Sequence, residues 1–417
     1  MRWLLSSVKI VEPGHALHGK KRDILIEDGK ITRIASKISD PKAQPIKEKG
    51  LCVSSGWVDS RATFRDPGNE YKEGLLNGLD AASAGGFTHV ALLPSTQPVV
   101  DNKGQVQYML ARSQSHAVRV LPTAMISKQG EGKQLAELYD LHKAGAVGFT
   151  DGFSTERSAL LLRALEYTRN FSGLVISVPQ DSDISGEGVM HEGKISTTNG
   201  LKGIPTIAET TRVKRDIDLV RYTGGRLHFA LISSAESVKL IREAKKEGLD
   251  ITCGVTAHHL YFNDDDLEDF DSNLKVLPPL RSNDDRKALL KGVKDGVIDV
   301  ICSDHQPEDV EHKKLEFQYA QFGIGAIEQT FSAALSSGVE LDDVIKALCT
   351  NPRKLFNLNE TGLEEGNNAD ITLFFADQEK EVEEDGLFSK SWNNPYVGKK
   401  LRGDVFGIVR GAQVVTR

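Results

Sequence analysis

The residues able to move a proton, hold a metal or grip an anion fall in a few short runs. The first is Gly56-Trp57-Val58-Asp59-Ser60-Arg61-Ala62-Thr63-Phe64-Arg65-Asp66-Pro67-Gly68, which sets two arginines among carboxylates. Others are Ser303-Asp304-His305 with Glu308 just beyond, the pair His258-His259, and the carboxylate Asp151. A carboxylate such as Asp304 can act as a general base, and Arg61 or Arg65 can stabilise a developing negative charge. A metal that activates water needs neutral imidazole or carboxylate ligands. Arg61 supplies neither and brings a fixed positive charge. Asp304, His305 and Glu308 are close enough in sequence to touch one cation, but three neighbours on one loop rarely converge without a second segment.

Such residues need a frame that carries them to one place. From about residue 55 to 350, short apolar runs alternate with helical stretches. Strand candidates are His89–Leu93, Val118–Leu121, Ala146–Thr150, Leu174–Val178, Arg226–Leu231, Asp250–Cys253 and Ile298–Cys302. Helices are expected between them, for example over Ser237–Glu247 and Asp284–Val293. Repeated β-then-α units imply a parallel sheet, and about eight units in roughly 300 residues suit a (β/α)8 barrel. A doubly wound open sheet is the alternative, but no Gly-rich dinucleotide loop follows the early strands. Both chain ends read instead as β-structure. Asp23–Ile31 is strand, Asp-Gly turn, strand, and Asp370–Phe374 and Val405–Gly411 are similar. The expected organisation is a barrel over residues 55–350 and a small β-sandwich domain built from residues 1–54 and 351–417.

Bulk properties narrow the partners. The formal net charge of −7 argues against nucleic acid, which wants a basic face. No apolar run approaches the ~20 residues that a membrane span requires. The run at Met1-Arg2-Trp3-Leu4-Leu5 is too short for a signal peptide. Four cysteines at 52, 253, 302 and 349 are far apart, so reduced thiols in a cytoplasmic protein are expected.

Several segments together resemble the dihydroorotase branch of the amidohydrolase superfamily, in the order found in bacterial type I enzymes. They are Gly85-Gly86-Phe87-Thr88, Gly200-Leu201-Lys202-Gly203-Ile204-Pro205 with Ala208-Glu209, Thr256-Ala257-His258-His259-Leu260, Pro278-Pro279-Leu280-Arg281-Ser282, Ser303-Asp304-His305, Phe322-Gly323, Thr350-Asn351-Pro352 and Gly366-Asn367-Asn368-Ala369-Asp370. The resemblance covers nearly the whole chain. It implies hydrolysis and formation of the cyclic amide of dihydroorotate in pyrimidine synthesis, with zinc at the C-terminal mouth of the barrel and an Asp on the last strand as general base. It also implies aspartate transcarbamoylase as a partner and a homo-oligomer, often a dimer.

Carried across residue by residue, that site is depleted. The family's first two histidine ligands fall on Arg61 and Thr63, the third on Val178 and the fourth on Leu231. The bridging Asp falls on Asp151 and the catalytic Asp on Asp304, here a vestigial base. Of the substrate contacts, Arg65, Phe322 and Gly323 are kept. Ser95 and Leu277 replace two asparagines, and Glu308 replaces a histidine and would repel a carboxylate. No metal is expected, because two carboxylates beside an arginine cannot make a three- or four-ligand zinc site. Asp151 and Asp304 are therefore read as structural carboxylates, with Arg61 between them in the place of the dication. His258 and His259 are read as core residues, His228 and His305 as hydrogen-bonded neighbours, and His191, in a Gly-rich loop, as exposed. The expected function is a non-catalytic homologue that is a structural or regulatory partner of aspartate transcarbamoylase. The alternatives are an active dihydroorotase or related cyclic amidohydrolase with an atypical site, and a sensor of a carboxylated pyrimidine precursor.

Overall fold

A computed structural model describes residues 1–152, 157–358 and 362–417. The N-terminal strands are β1 (Arg2–Ile10), β2 (Lys21–Glu27), β3 (Lys30–Ala35), β4 (Gln44–Ile46) and β5 (Cys52–Ser55). The middle of the chain supplies β6 (Trp57–Ala62), β7 (Phe87–Leu92), β8 (Arg119–Ala124), β9 (Gly148–Phe149), β10 (Val175–Ser177), a short pair β11 (Met190–His191) and β12 (Gly203–Ile204), then β13 (Leu227–Phe229), β14 (Ile251–Thr256) and β15 (Val300–Cys302). The C-terminal strands are β16 (Asp370–Glu381), β17 (Lys400–Arg410) and β18 (Gln413–Thr416).

Eight of these form the parallel barrel, in the order β6-β7-β8-β9-β10-β13-β14-β15. All six residues of β7 are buried, as expected of a parallel strand covered on both faces. The seam between first and last strand is closed by side chains as well as backbone. The Asp59 carboxylate accepts the Ser303 N–H at 3.0 Å and the Ser303 hydroxyl, and Thr63 N donates to His305 O at 2.9 Å. Helices cross between strands, and several start at side-chain caps. Ser234 caps Ala235–Lys246 and Ser282 caps Asn283–Lys294, within two residues of the two helices expected from the sequence.

The chain ends meet in one continuous sheet, ordered β18-β17-β16-β5-β1-β2-β3, with β4 paired to β1. The β2–β3 turn places Asp28 and Gly29 at φ 48° and 83°, the left-handed geometry that an Asp-Gly hairpin needs. This sheet has its own apolar core, including Leu5, Ile24, Ile26, Val53, Ile371 and Val409. Arg353, on the helix Asn351–Leu355, ties the two units together. Its guanidinium donates to Gly56 O at 3.0 and 2.7 Å and pairs with Asp370 Oδ2 at 2.6 Å. All four cysteines are free and buried. Among the described residues no helix is long and apolar enough to cross a membrane.

Candidate active site

Arg61, Asp151 and Asp304 lie at or just beyond the C-terminal ends of β6, β9 and β15, where a βα barrel places its chemistry. Arg61, near the end of β6, is 4% exposed, and its Nε donates to Asp304 Oδ1 at 2.7 Å. Asp304 follows β15 in a left-handed conformation, φ 45°, and its other oxygen accepts from Gln306 Nε2 at 3.0 Å. Burial pushes its carboxyl up, against the opposing pull of Arg61. Asp151 is held differently. Its Oδ1 accepts the Ile126 and Ser127 N–H groups at 2.8 and 2.9 Å, and Oδ2 accepts the Ser127 hydroxyl at 2.6 Å. The ion pair of Arg61 is thus with Asp304, and the expectation of one guanidinium shared by both carboxylates is corrected. The backbone N–H groups after β8 are nearer to Asp151 and serve it instead.

The other positions of the depleted ligand set offer no donor array. Val178 and Leu231 are 2% and 1% exposed and pack in one apolar cluster with Val58, Ala91 and Ile176. Thr63 is buried, and its hydroxyl accepts the Arg65 N–H at 3.3 Å. The zinc that the resemblance implies does not fit here: one carboxylate is engaged by a guanidinium, and two would-be imidazoles are hydrocarbon. Among the described residues no group of three or more His, Cys, Asp or Glu is placed to hold a metal.

Arg65, Phe322 and Gly323, the residues expected to contact substrate, are engaged internally. Arg65 Nη2 pairs with Glu308 Oε1 at 2.6 Å, and its Nε donates to Pro307 O at 3.3 Å. Lys72 pairs with the other oxygen of Glu308. Glu308, 4% exposed, is the carboxylate partner of Arg65. Phe322 lies under the Lys275 ammonium, 4.8 Å from ring centroid to Nζ. Gly323, at φ 133°, donates its N–H to Lys275 O at 2.9 Å and packs so near Gln306 that a Cβ would come within 2.8 Å of it.

Sequence reasoning missed two lysines here. Lys275 and Lys313 are each 2% exposed. Lys275 Nζ donates to Gln318 O at 3.0 Å, and Lys313 Nζ to Gln321 O and Lys275 O at 2.8 and 3.3 Å. Burial lowers them to about 8 and about 7 respectively. Nothing in the letters Lys275 or Lys313 marks them as buried, since lysine is ordinarily exposed.

The histidines are spread out. His305 Nε2 lies 3.3 Å from Glu73 Oε2, His228 Nδ1 lies 2.9 Å from Thr252 Oγ1, and His259 Nε2 lies 3.1 Å from Pro278 O. His258 stacks on His259 at 4.9 Å. His305, Asp304 and Glu308 each face a different partner, Glu73, Arg61 and Arg65, so they form no common cation site. His191 is not exposed as expected. It is half-buried, 3.2 Å from Arg281 Nη1, and burial followed by that charge lowers it to about 4. The Gly-rich loop folds back as the β11–β12 pair and brings it inward.

Comparison with known proteins places this geometry in a family. The model of the "Dihydro-orotase-like" family matches residues 50–237. A dihydroorotase of Syntrophus aciditrophicus is 39% identical over 413 residues, 97% of each chain. One of Acetivibrio thermocellus is 40% identical over 420 residues, 98% of this chain and 99% of its own. The fold is shared with an L-hydantoinase (dihydropyrimidinase) from Arthrobacter aurescens, with TM-score 0.86, 22% identity, and coverage of 99% of this chain and 96% of that one. With a barrel, an end-built sheet and relatives similar along its whole length, this chain belongs to the dihydroorotase family of cyclic amidohydrolases.

Proposed function

We propose that this protein is a non-catalytic dihydroorotase homologue that serves pyrimidine biosynthesis as a structural or regulatory partner of aspartate transcarbamoylase. The observation that carries this reading is the buried Arg61–Asp304 pair, 2.7 Å from Nε to Oδ1. The carboxylate that would serve as base is engaged by a guanidinium standing where the family has a histidine. A general base must be free to accept a proton from water near the carbonyl, and a buried Arg partner opposes that. The Arg65–Glu308 pair supports the same reading at the substrate end, since a carboxylate ligand would have to displace Glu308.

A second reading, an active amidohydrolase with an atypical site, is favoured by the 39–40% identity to dihydroorotases along the full length. One experiment separates the two. Purified protein is assayed for dihydroorotate turnover with and without added zinc, its metal content is measured, and it is mixed with the aspartate transcarbamoylase catalytic subunit of the same organism before size-exclusion chromatography. The expected result is turnover at the blank rate, zinc well below one per chain, and co-elution. Stoichiometric zinc or zinc-dependent turnover overturns the non-catalytic reading. Separate elution overturns the partnership.

A further inference from the structure

Away from the barrel mouth, a cavity of about 520 Å³ opens where the N-terminal ends of β7 and β8 meet the end-built sheet. Its wall includes His89, Arg119, Arg353, Asn368, Asp370 and Arg410. The strand registers assemble it: His89 pairs with Arg119 across β7–β8, and Asp370 pairs with Arg410 across β16–β17. Three guanidiniums therefore face one carboxylate, and that carboxylate is committed to Arg353 at 2.6 Å. Among the described residues the Arg410 side chain donates to Ala117 O alone, at 3.3 Å. Arg119 is exposed, and among the described residues its side chain has no hydrogen bond or ion pair. His89 is held neutral, lowered to about 3 chiefly by burial, and adds no further positive charge. The same two arginines line an adjoining hollow of about 440 Å³ with Gln107 and Gln114. In a chain of net charge −7, an arginine pair at a cavity wall, outnumbering with Arg353 the one carboxylate Asp370 there, is a specific feature rather than a general basic surface.

We infer that this cavity is a binding site for a small phosphate monoester, with the phosphate held by Arg119 and Arg410 and a polar, sugar-sized body resting against Asn368. Guanidinium forks match phosphate oxygens bidentately, and a dianion relieves the repulsion between the two arginines. The volume lies within the range of small-ligand sites and exceeds the need of a bare phosphate ion. The inference concerns the opposite end of the barrel from Asp304 and does not depend on whether the chain is catalytic.

The test uses the full chain and thermal unfolding at constant ionic strength, because ligand binding to the folded state raises the melting temperature. The probes are uridine 5′-monophosphate, ribose 5-phosphate and inorganic phosphate, with sulfate as control. The esters are expected to raise the melting temperature saturably. Arg119→Gln, at an exposed position, should leave the unliganded melting temperature unchanged and weaken ester binding by about tenfold or more. Arg410→Gln should do the same to binding. No ester-dependent shift, or a shift that survives Arg119→Gln, overturns the site. Equal shifts with inorganic phosphate and the esters overturn the organic body.

Discussion

At the scale of single residues, the informative event is the arrival of a guanidinium beside a buried carboxylate. Arg61 and Asp304 are each 4% exposed or less, so neither charge can be relieved by water if the other is removed. Breaking a buried pair by removing one partner costs about 3–5 kcal/mol, because the survivor is left uncompensated. Arg61→Met is therefore expected to destabilise the fold by about that amount, and Arg61→Met with Asp304→Asn by clearly less. Urea unfolding of the two single variants and the double variant checks this. Additive losses would mean that the pair contributes nothing as a pair. The sequence directed attention to Arg61 and Asp304, and the structure places them in contact. What was not legible is how partners are shared. Glu308 was read as repelling a substrate carboxylate, whereas its contact with Arg65 and Lys72 makes it an internal stand-in for one. Asp151 was grouped with Arg61, but local backbone donors claimed it. Those outcomes depend on angles and distances that residue spacing does not encode.

At the scale of elements, the alternation of β and α was readable because buried parallel strands are short apolar runs, while the helices between them carry caps and charge. The strand β9, only two residues long, and the β11–β12 pair were less readable, because so few residues give no period to detect. The barrel was expected from the pattern, but the side-chain contact at its seam was not readable. Asp59, fully buried in β6, spans with its carboxylate to the backbone and hydroxyl of Ser303 beyond β15, beside the backbone contact of Thr63 with His305. Burial raises that carboxyl to about 6, so it is close to half-protonated in mildly acidic solution. Asp59→Ala is expected to destabilise the protein by about 2–3 kcal/mol, since it orphans the Ser303 N–H and hydroxyl and leaves a void at the seam. Asp59→Asn keeps an acceptor for the N–H and should cost about 1 kcal/mol. Equal losses from the two substitutions, measured by chemical denaturation, would show that shape rather than hydrogen bonding closes the seam.

At the scale of the whole molecule, the buried histidines set the response to acid. His89, His228 and His259 are 5%, 2% and 3% exposed, and burial lowers them to about 3, about 3 and about 4. Each is neutral in the fold, whereas in the unfolded chain it takes up a proton below about 6.5. Between pH 6.5 and those lowered values the unfolded state binds more protons, so stability falls as the pH falls. At pH 5 each histidine removes about 2 kcal/mol relative to neutral pH, for about 6 kcal/mol together. Asp59 acts in the opposite direction. Raised to about 6, it holds a proton in the fold that the unfolded chain releases, and it returns about 1.4 kcal/mol at pH 5. Over these four groups the balance is a loss of about 4–5 kcal/mol; His191 and His258, lowered by burial, add to it, and Asp304, Asp216 and Glu328, raised by burial, oppose it. Stability should therefore start to fall just below pH 6.5, ahead of the range in which ordinary carboxylates titrate out, and unfolding followed by circular dichroism should pass its midpoint between about pH 5 and 4. His228→Gln removes one of the three groups while offering Thr252 a polar partner. It should move the acid midpoint downward and flatten the approach to it. An unchanged midpoint in that variant would assign the acid response to the carboxylates instead.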